Sequence, residues 1–173
     1  MKTNYLNVSS LFFLLLILSI VFISQGCSNE EEEKKNPNIS EVTSSDCKHF
    51  QKVVLDSITS SDDCIEYSYD GISVLSIKHL NAGFNCCPEK ISADFEISGD
   101  TIKILESEKS SLCDCNCLYD LEYTIKNIAP KNYFIKVVEP YATQGEKLEF
   151  QADLHHSNIG TYCVERDYYP WGF

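Results

Sequence analysis

Cysteine placement constrains this chain more than any other feature. The stretch "SSLCDCNCLYDLEYTI" sets Cys113, Cys115 and Cys117 at every second position, "FNCCPEK" holds the adjacent Cys86 and Cys87, and Cys47, Cys64 and Cys163 stand apart. In an extended strand the three alternating sulfurs share a side with Tyr119, Leu121, Tyr123 and Ile125, while Asp114, Asn116, Asp120 and Glu122 take the other. One continuous strand would therefore aim all three towards the core. Cysteines two apart on a strand lie near the upper limit of disulfide geometry and point in parallel, so each is expected to bond a different piece of chain. Cys86 and Cys87 point in opposite directions if extended, and Pro88 favours extension at Cys87. Such a pair can tie two pieces of chain to one point. Bonds between the two clusters would close loops of about 25 to 30 residues, each contributing roughly 3 kcal/mol by restricting the unfolded chain.

The ninth cysteine belongs to a different argument. Residues 1–26 carry one charge, Lys2, followed by "LFFLLLILSIVFIS", an apolar run short for a membrane span and flanked as a signal peptide is. Next comes "SQGCSNEEEEKKNPN", with Gly26 directly before Cys27 and then an acidic polar tether. This start resembles the lipobox of bacterial lipoproteins, although Ser24 and Gln25 stand where a branched apolar residue and a small residue are usual. The resemblance implies that Cys27 becomes the acylated N-terminus and holds the protein on a membrane. Acyl chains anchor stably when two or more are present, at about 0.8 kcal/mol per buried methylene. Glu30, Glu31, Glu32 and Glu33 also resemble the surface-export signal of some diderm bacteria, which implies an outer-membrane lipoprotein facing outward; as a plain reading they form a solvated spacer.

Removing 26 of 173 residues leaves 147 (173 − 26), enough for one domain, and the loss of Lys2 moves the formal charge from −12 to −13. An acidic chain without a basic stripe argues against nucleic-acid binding, which needs clustered Lys and Arg. The expected organisation is a signal peptide over residues 1–26, a lipidated acidic tether over 27–45 and one domain over 46–173.

That domain reads as all-β. In "ISADFEIS", Ile91, Ala93, Phe95 and Ile97 alternate with Ser92, Asp94, Glu96 and Ser98, and "SGD" turns the chain into "TIKILESE", a hairpin signal. Further strands are expected in "CIEYSYD", "SVLSIKHL", "LYDLEYTIKNI", "YFIKVVEP" and "KLEFQADL", with turns at Asp70-Gly71, around Pro130 to Asn132, and at Gln144-Gly145-Glu146. Seven or eight strands at this spacing imply an antiparallel β-sandwich. The segment "YTIKNIAPKNYFIKV" is similar to the end of immunoglobulin-like and fibronectin-like modules, which implies an Ig-like sandwich. "DCKHFQKVVLDSI" fits a short helix or a strand equally well.

The eight cysteines beyond Cys27 form an even set in a compartment where disulfides persist, so Cys47, Cys64, Cys86, Cys87, Cys113, Cys115, Cys117 and Cys163 are disulfide candidates. The competing chemistry is a soft-metal site: tandem C-x-C resembles metallothionein thiolate clusters, and His79, Cys86, Cys87, Cys113, Cys115 and Cys117 would bind Cu or Zn. His155-His156 would add ligands or simply mark a solvated hairpin end. No C-x-x-C redox pair and no G-x-S-x-G, H-E-x-x-H or phosphate-binding glycine loop is present. Asp62-Asp63 falls in a Ser-rich turn and reads as solvent-exposed. The tail "TYCVERDYYPWGF" concentrates aromatic side chains, which either close the core over Cys163 or stack on a sugar or partner protein. These features together imply a membrane-anchored, non-enzymatic binding or structural module with a protein or glycan ligand and no cofactor, the metal-binding envelope protein being the alternative.

Overall fold

The computed structural model describes residues 36–48, 58–110 and 113–172. Among these residues there are ten strands and no helix. They are β1 (Asn38–Ile39), β2 (Thr43–Ser44), β3 (Asp62–Tyr69), β4 (Val74–Asn85), β5 (Pro88–Ser98), β6 (Thr101–Ser110), β7 (Asn116–Lys126), β8 (Asn132–Val138), β9 (Glu149–Asp153) and β10 (Ile159–Glu165). The first sheet runs β1-β7-β4-β3-β10, with β2 also on the β7 edge, and the second runs β5-β6-β8-β9. All pairs are antiparallel except β6 with β8.

The expected β-sandwich is present. Both sheets turn their apolar parity to one core, in which Ile65, Leu75, Leu121 and Ile125 of the first meet Ile102, Ile104 and Ile135 of the second. Fully burying such a side chain is worth about 1.5–3 kcal/mol. The β5–β6 hairpin closes with Ser98 opposite Thr101, and Gly99 takes φ 60, a left-handed backbone that a side chain would resist. The residues of "YTIKNIAPKNYFIKV" do form strand, proline turn and Tyr-containing strand, but β7 and β8 lie in different sheets. The tail supplies an eleventh-hour strand not expected from its sequence: β10 pairs with β3 from Ile159 to Glu165. Residues 38–44, in the segment expected as tether, hydrogen-bond along β7 through β1 and β2. Most of "DCKHFQKVVLDSI", the segment that fits helix or strand, lies outside the described residues.

The parity expected for β7 holds from Cys117 onward: Cys117, Tyr119, Leu121, Tyr123 and Ile125 are buried, Asp120 is half-buried and Glu122 is exposed. It does not extend to the other two sulfurs. β7 begins at Asn116, so Cys113 and Cys115 sit on an exposed loop instead of pointing into the core. The three do not each bond a different segment: Cys113 and Cys115 both tie to the adjacent pair between β4 and β5, as Cys87–Cys113 and Cys86–Cys115, and Cys117 alone reaches a separate segment, at Cys47. The two inter-cluster bonds span 26 and 29 residues. Cys64–Cys163 joins directly opposed residues of β3 and β10, with Cα atoms 4.1 Å apart.

Candidate functional site

Two places in the fold hold polar groups in an organised way: a charge network sealed between the sheets and a groove on the outside of the first sheet. The sealed network begins with residues that occupy core parity without being apolar. On β4, Leu75, Ile77 and His79 face inward in succession; on β6, Ile102, Ile104 and Glu106 do the same. Asp63 precedes Ile65 on β3, Glu139 follows directly on β8, and Arg166 follows directly on β10. The sandwich therefore brings three carboxyl groups, one imidazole and one guanidinium together from five separate segments.

His79 is the centre of this group. Its Nε2 lies 2.7 Å from Asp63 Oδ1, and its Nδ1 lies 3.0 and 2.9 Å from the two oxygens of Glu106. Tyr123 donates its hydroxyl to Glu106 Oε1 at 2.9 Å. Arg166 donates from Nε to Asp63 Oδ2 at 2.8 Å and from Nη2 to Glu139 Oε2 at 3.1 Å, and from Nη1 to the carbonyl oxygen of Glu146. Asp63 and His79 have no solvent exposure. Such burial costs several kcal/mol per ion unless charges are paired and hydrogen-bonded, and here almost every polar atom is. The exception is Glu139 Oε1, which is buried without a hydrogen-bond partner and sits 3.7 Å from His79 Nε2.

The titration of these groups follows from their contacts. Burial by itself pulls the His79 pKa down, but the charge of Glu106 and the hydrogen bonds to Asp63 and Glu106 outweigh it and hold the imidazole well above its ordinary value. Burial pushes Asp63 up, while His79 and Arg166 together bring it below the usual carboxylate range. Glu139 goes the other way: burial and the negative charge of Asp63 raise it well above its ordinary value despite His79 and Arg166. Burial, then the charge of Glu106, likewise raises the Tyr123 phenol.

His79 is thus held by carboxyl groups in the core and not by the cysteines with which it was grouped in the soft-metal reading. Those cysteines are joined as disulfides and offer no thiolate in that state. Asp63, expected at a solvent-exposed turn, is instead a buried strand residue, because the strand of "CIEYSYD" starts two residues earlier, at Asp62. His155 and His156 are exposed on the β9–β10 connection, where His156 Nδ1 lies 2.8 Å from Asp153 Oδ2. The aromatic tail is buried only in part: Tyr162 packs against the core and Trp171 is buried, while Tyr168 is half-buried and Tyr169 and Cys163 are exposed. Trp171 is 2% exposed, donates its indole N–H to the carbonyl of Asn81, and lies against Gly83, where a Cβ would come within 2.5 Å of its ring. Gly83 is small because the indole occupies the space of its side chain. Cys27, Glu30, Glu31, Glu32 and Glu33 lie outside the described residues.

The groove crosses the outer face of the first sheet and has a volume of about 640 Å³. Strand register lays two polar rows along it. Thr161, Glu66, Lys78, Glu122 and Thr43 come from five successive strands in one row, and Ser68, Ser76 and Thr124 make the next. Short hydroxyl side chains in the centre keep the face hollow. Lys78 and Glu122 lie 3.6 Å apart and are well exposed, so their pairing is worth less than about 1 kcal/mol and leaves both accessible to a ligand. Comparison of the chain with protein-family models, curated proteins and solved structures finds no match.

Proposed function

We propose that this chain is a lipid-anchored lipoprotein of the outer membrane, displayed on the surface of a diderm bacterium, whose folded part is a non-enzymatic binding or structural module. One observation carries the reading. The four disulfides use all eight cysteines beyond Cys27, so the ninth, which stands in the lipobox-like motif, has no cysteine left in the chain to pair with. Four disulfides suit an oxidising compartment, and an unmatched cysteine after Gly26 suits acylation.

The two polar regions support binding over catalysis. The charged groups best arranged for proton transfer are sealed from any substrate, whereas the accessible groove offers fixed hydroxyl and charged rows to an extended polar ligand, a glycan or a peptide. The acidic chain, at −12, makes nucleic acid a poor partner. Labelled fatty acid should enter the wild-type protein and not Cys27→Ala, and replacing Glu30 to Glu33 by alanine should reduce protease access on whole cells. On glycan arrays or in envelope pull-downs, Ser76→Trp should abolish capture by filling the groove. Failure of the wild type to incorporate label would refute the anchor, and capture indifferent to Ser76→Trp would refute the groove as the binding face.

A further inference from the structure

We propose that Asp63, His79 and Glu139 form a binding site for one divalent transition-metal ion with the coordination chemistry of zinc. A ligand atom from each of the three lies within 4.8 Å of the others, and all three side chains are buried. Their orientation is the stronger argument. Arg166 engages Oδ2 of Asp63 and Oε2 of Glu139, which leaves Oδ1 and Oε1 turned to the same nitrogen, His79 Nε2, at 2.7 and 3.7 Å. Tetrahedral coordination with bonds of about 2.1 Å separates neighbouring donors by about 3.4 Å, between those two distances. A small opening of the Asp63–His79 contact would admit an ion.

Three further features fit. Glu139 Oε1 is a buried acceptor with no hydrogen-bond partner, aimed at this point. The far nitrogen of His79 already rests on Glu106, which is itself held by Tyr123, the carboxylate–histidine support that fixes a ligating imidazole and raises its basicity. Charge also closes. Ionised Asp63, Glu106 and Glu139 with Arg166 sum to −2 (−3 + 1), which a divalent ion beside a neutral imidazole brings to zero. An imidazole nitrogen with two carboxylate oxygens, and no thiolate, selects zinc-like ions over Cu(I) and over the hard cations that prefer all-oxygen sites.

The test uses the full chain with its disulfides intact, stripped by chelator and then given Co(II) or Zn(II) either when folded or during oxidative refolding, so that slow entry into a sealed core cannot hide binding. The expected result is one equivalent per chain, a Co(II) visible spectrum of a low-coordinate site bleached by Zn(II), and affinity at least ten-fold weaker in Glu139→Gln. A His155→Ala, His156→Ala double variant should bind as wild type does. If Glu139→Gln does not fold, NMR of the wild type decides, because the His79 ring signals must be those shifted by Co(II). No bound metal by either route, affinity unchanged in folded Glu139→Gln, or His79 signals untouched by Co(II) would overturn the proposal.

Discussion

Replacing Arg166 by methionine removes the cation that serves two buried carboxyl groups while keeping a side chain of similar reach. Arg166 is 2% exposed and donates to Asp63 and Glu139, with its guanidinium 5.6 Å from the Trp171 ring centroid. Breaking a buried pair from one side costs about 3–5 kcal/mol, against at most about 1 kcal/mol for a surface pair. The cost should depend on pH. Without Arg166, the Asp63 and Glu139 carboxyl groups bind protons more readily in the folded state, so acid relieves the unpaired charge. Denaturant unfolding with the disulfides intact, in metal-free buffer, should show a loss of about 3–5 kcal/mol at pH 8 and a smaller one at pH 5. A loss below about 1 kcal/mol would refute the paired network. A large loss independent of pH would mean that Arg166 acts only by packing.

The wild-type network should itself respond to pH. His79 and Glu139 are both raised above their ordinary values of 6.5 and 4.5, so the stability each contributes is full below that value and is lost as pH rises through its folded pKa. Asp63, lowered from 3.8, contributes in the opposite sense and loses its share as acid is added below that value. Metal-free protein should therefore be most stable in mild acid, and Glu139→Gln should flatten the decline towards alkaline pH; an equal slope in the variant would remove Glu139 from the account. Leu121→Ala, at a fully buried position, should cost about 2–5 kcal/mol and Glu122→Ala, at an exposed one, about 0.5 or less; denaturant melts in the reverse order would overturn the β7 register. Gly83→Ala should displace Trp171, the one tryptophan of the chain, costing about 1–3 kcal/mol and shifting its emission to the red; unchanged fluorescence would contradict the close packing.

Local patterns carried much of this architecture in the sequence. The alternation of Ile91 and Ala93 with Ser92 and Asp94, followed by Gly99, specifies a hairpin because strand period and turn chemistry agree over neighbouring residues. The cysteine clusters likewise announced bonds across a moderate loop, although which sulfur met which was not legible. Cys113 and Cys115 do not follow the inward parity of Cys117, because alternation fixes a side only within a strand and β7 starts after them. The charge network was harder to read, since its members are brought together by sheet packing and not by spacing. A signal did exist: His79 continues the inward set of Leu75 and Ile77, and Glu106 that of Ile102 and Ile104. A charged residue on apolar parity requires a buried partner, but the partners lie on other strands and in the connections after β8 and β10.

The proposed division of the nine cysteines, eight in disulfides and Cys27 acylated, can be counted chemically. Thiol counting and intact mass on protein purified aerobically from its membrane, before and after reduction in denaturant, test it most directly. No free thiol is expected before reduction, eight afterwards from the four disulfides, and the acyl mass on the peptide that begins at Cys27. Free thiols among the eight before reduction, or nine thiols after it with no acyl mass on Cys27, would contradict it.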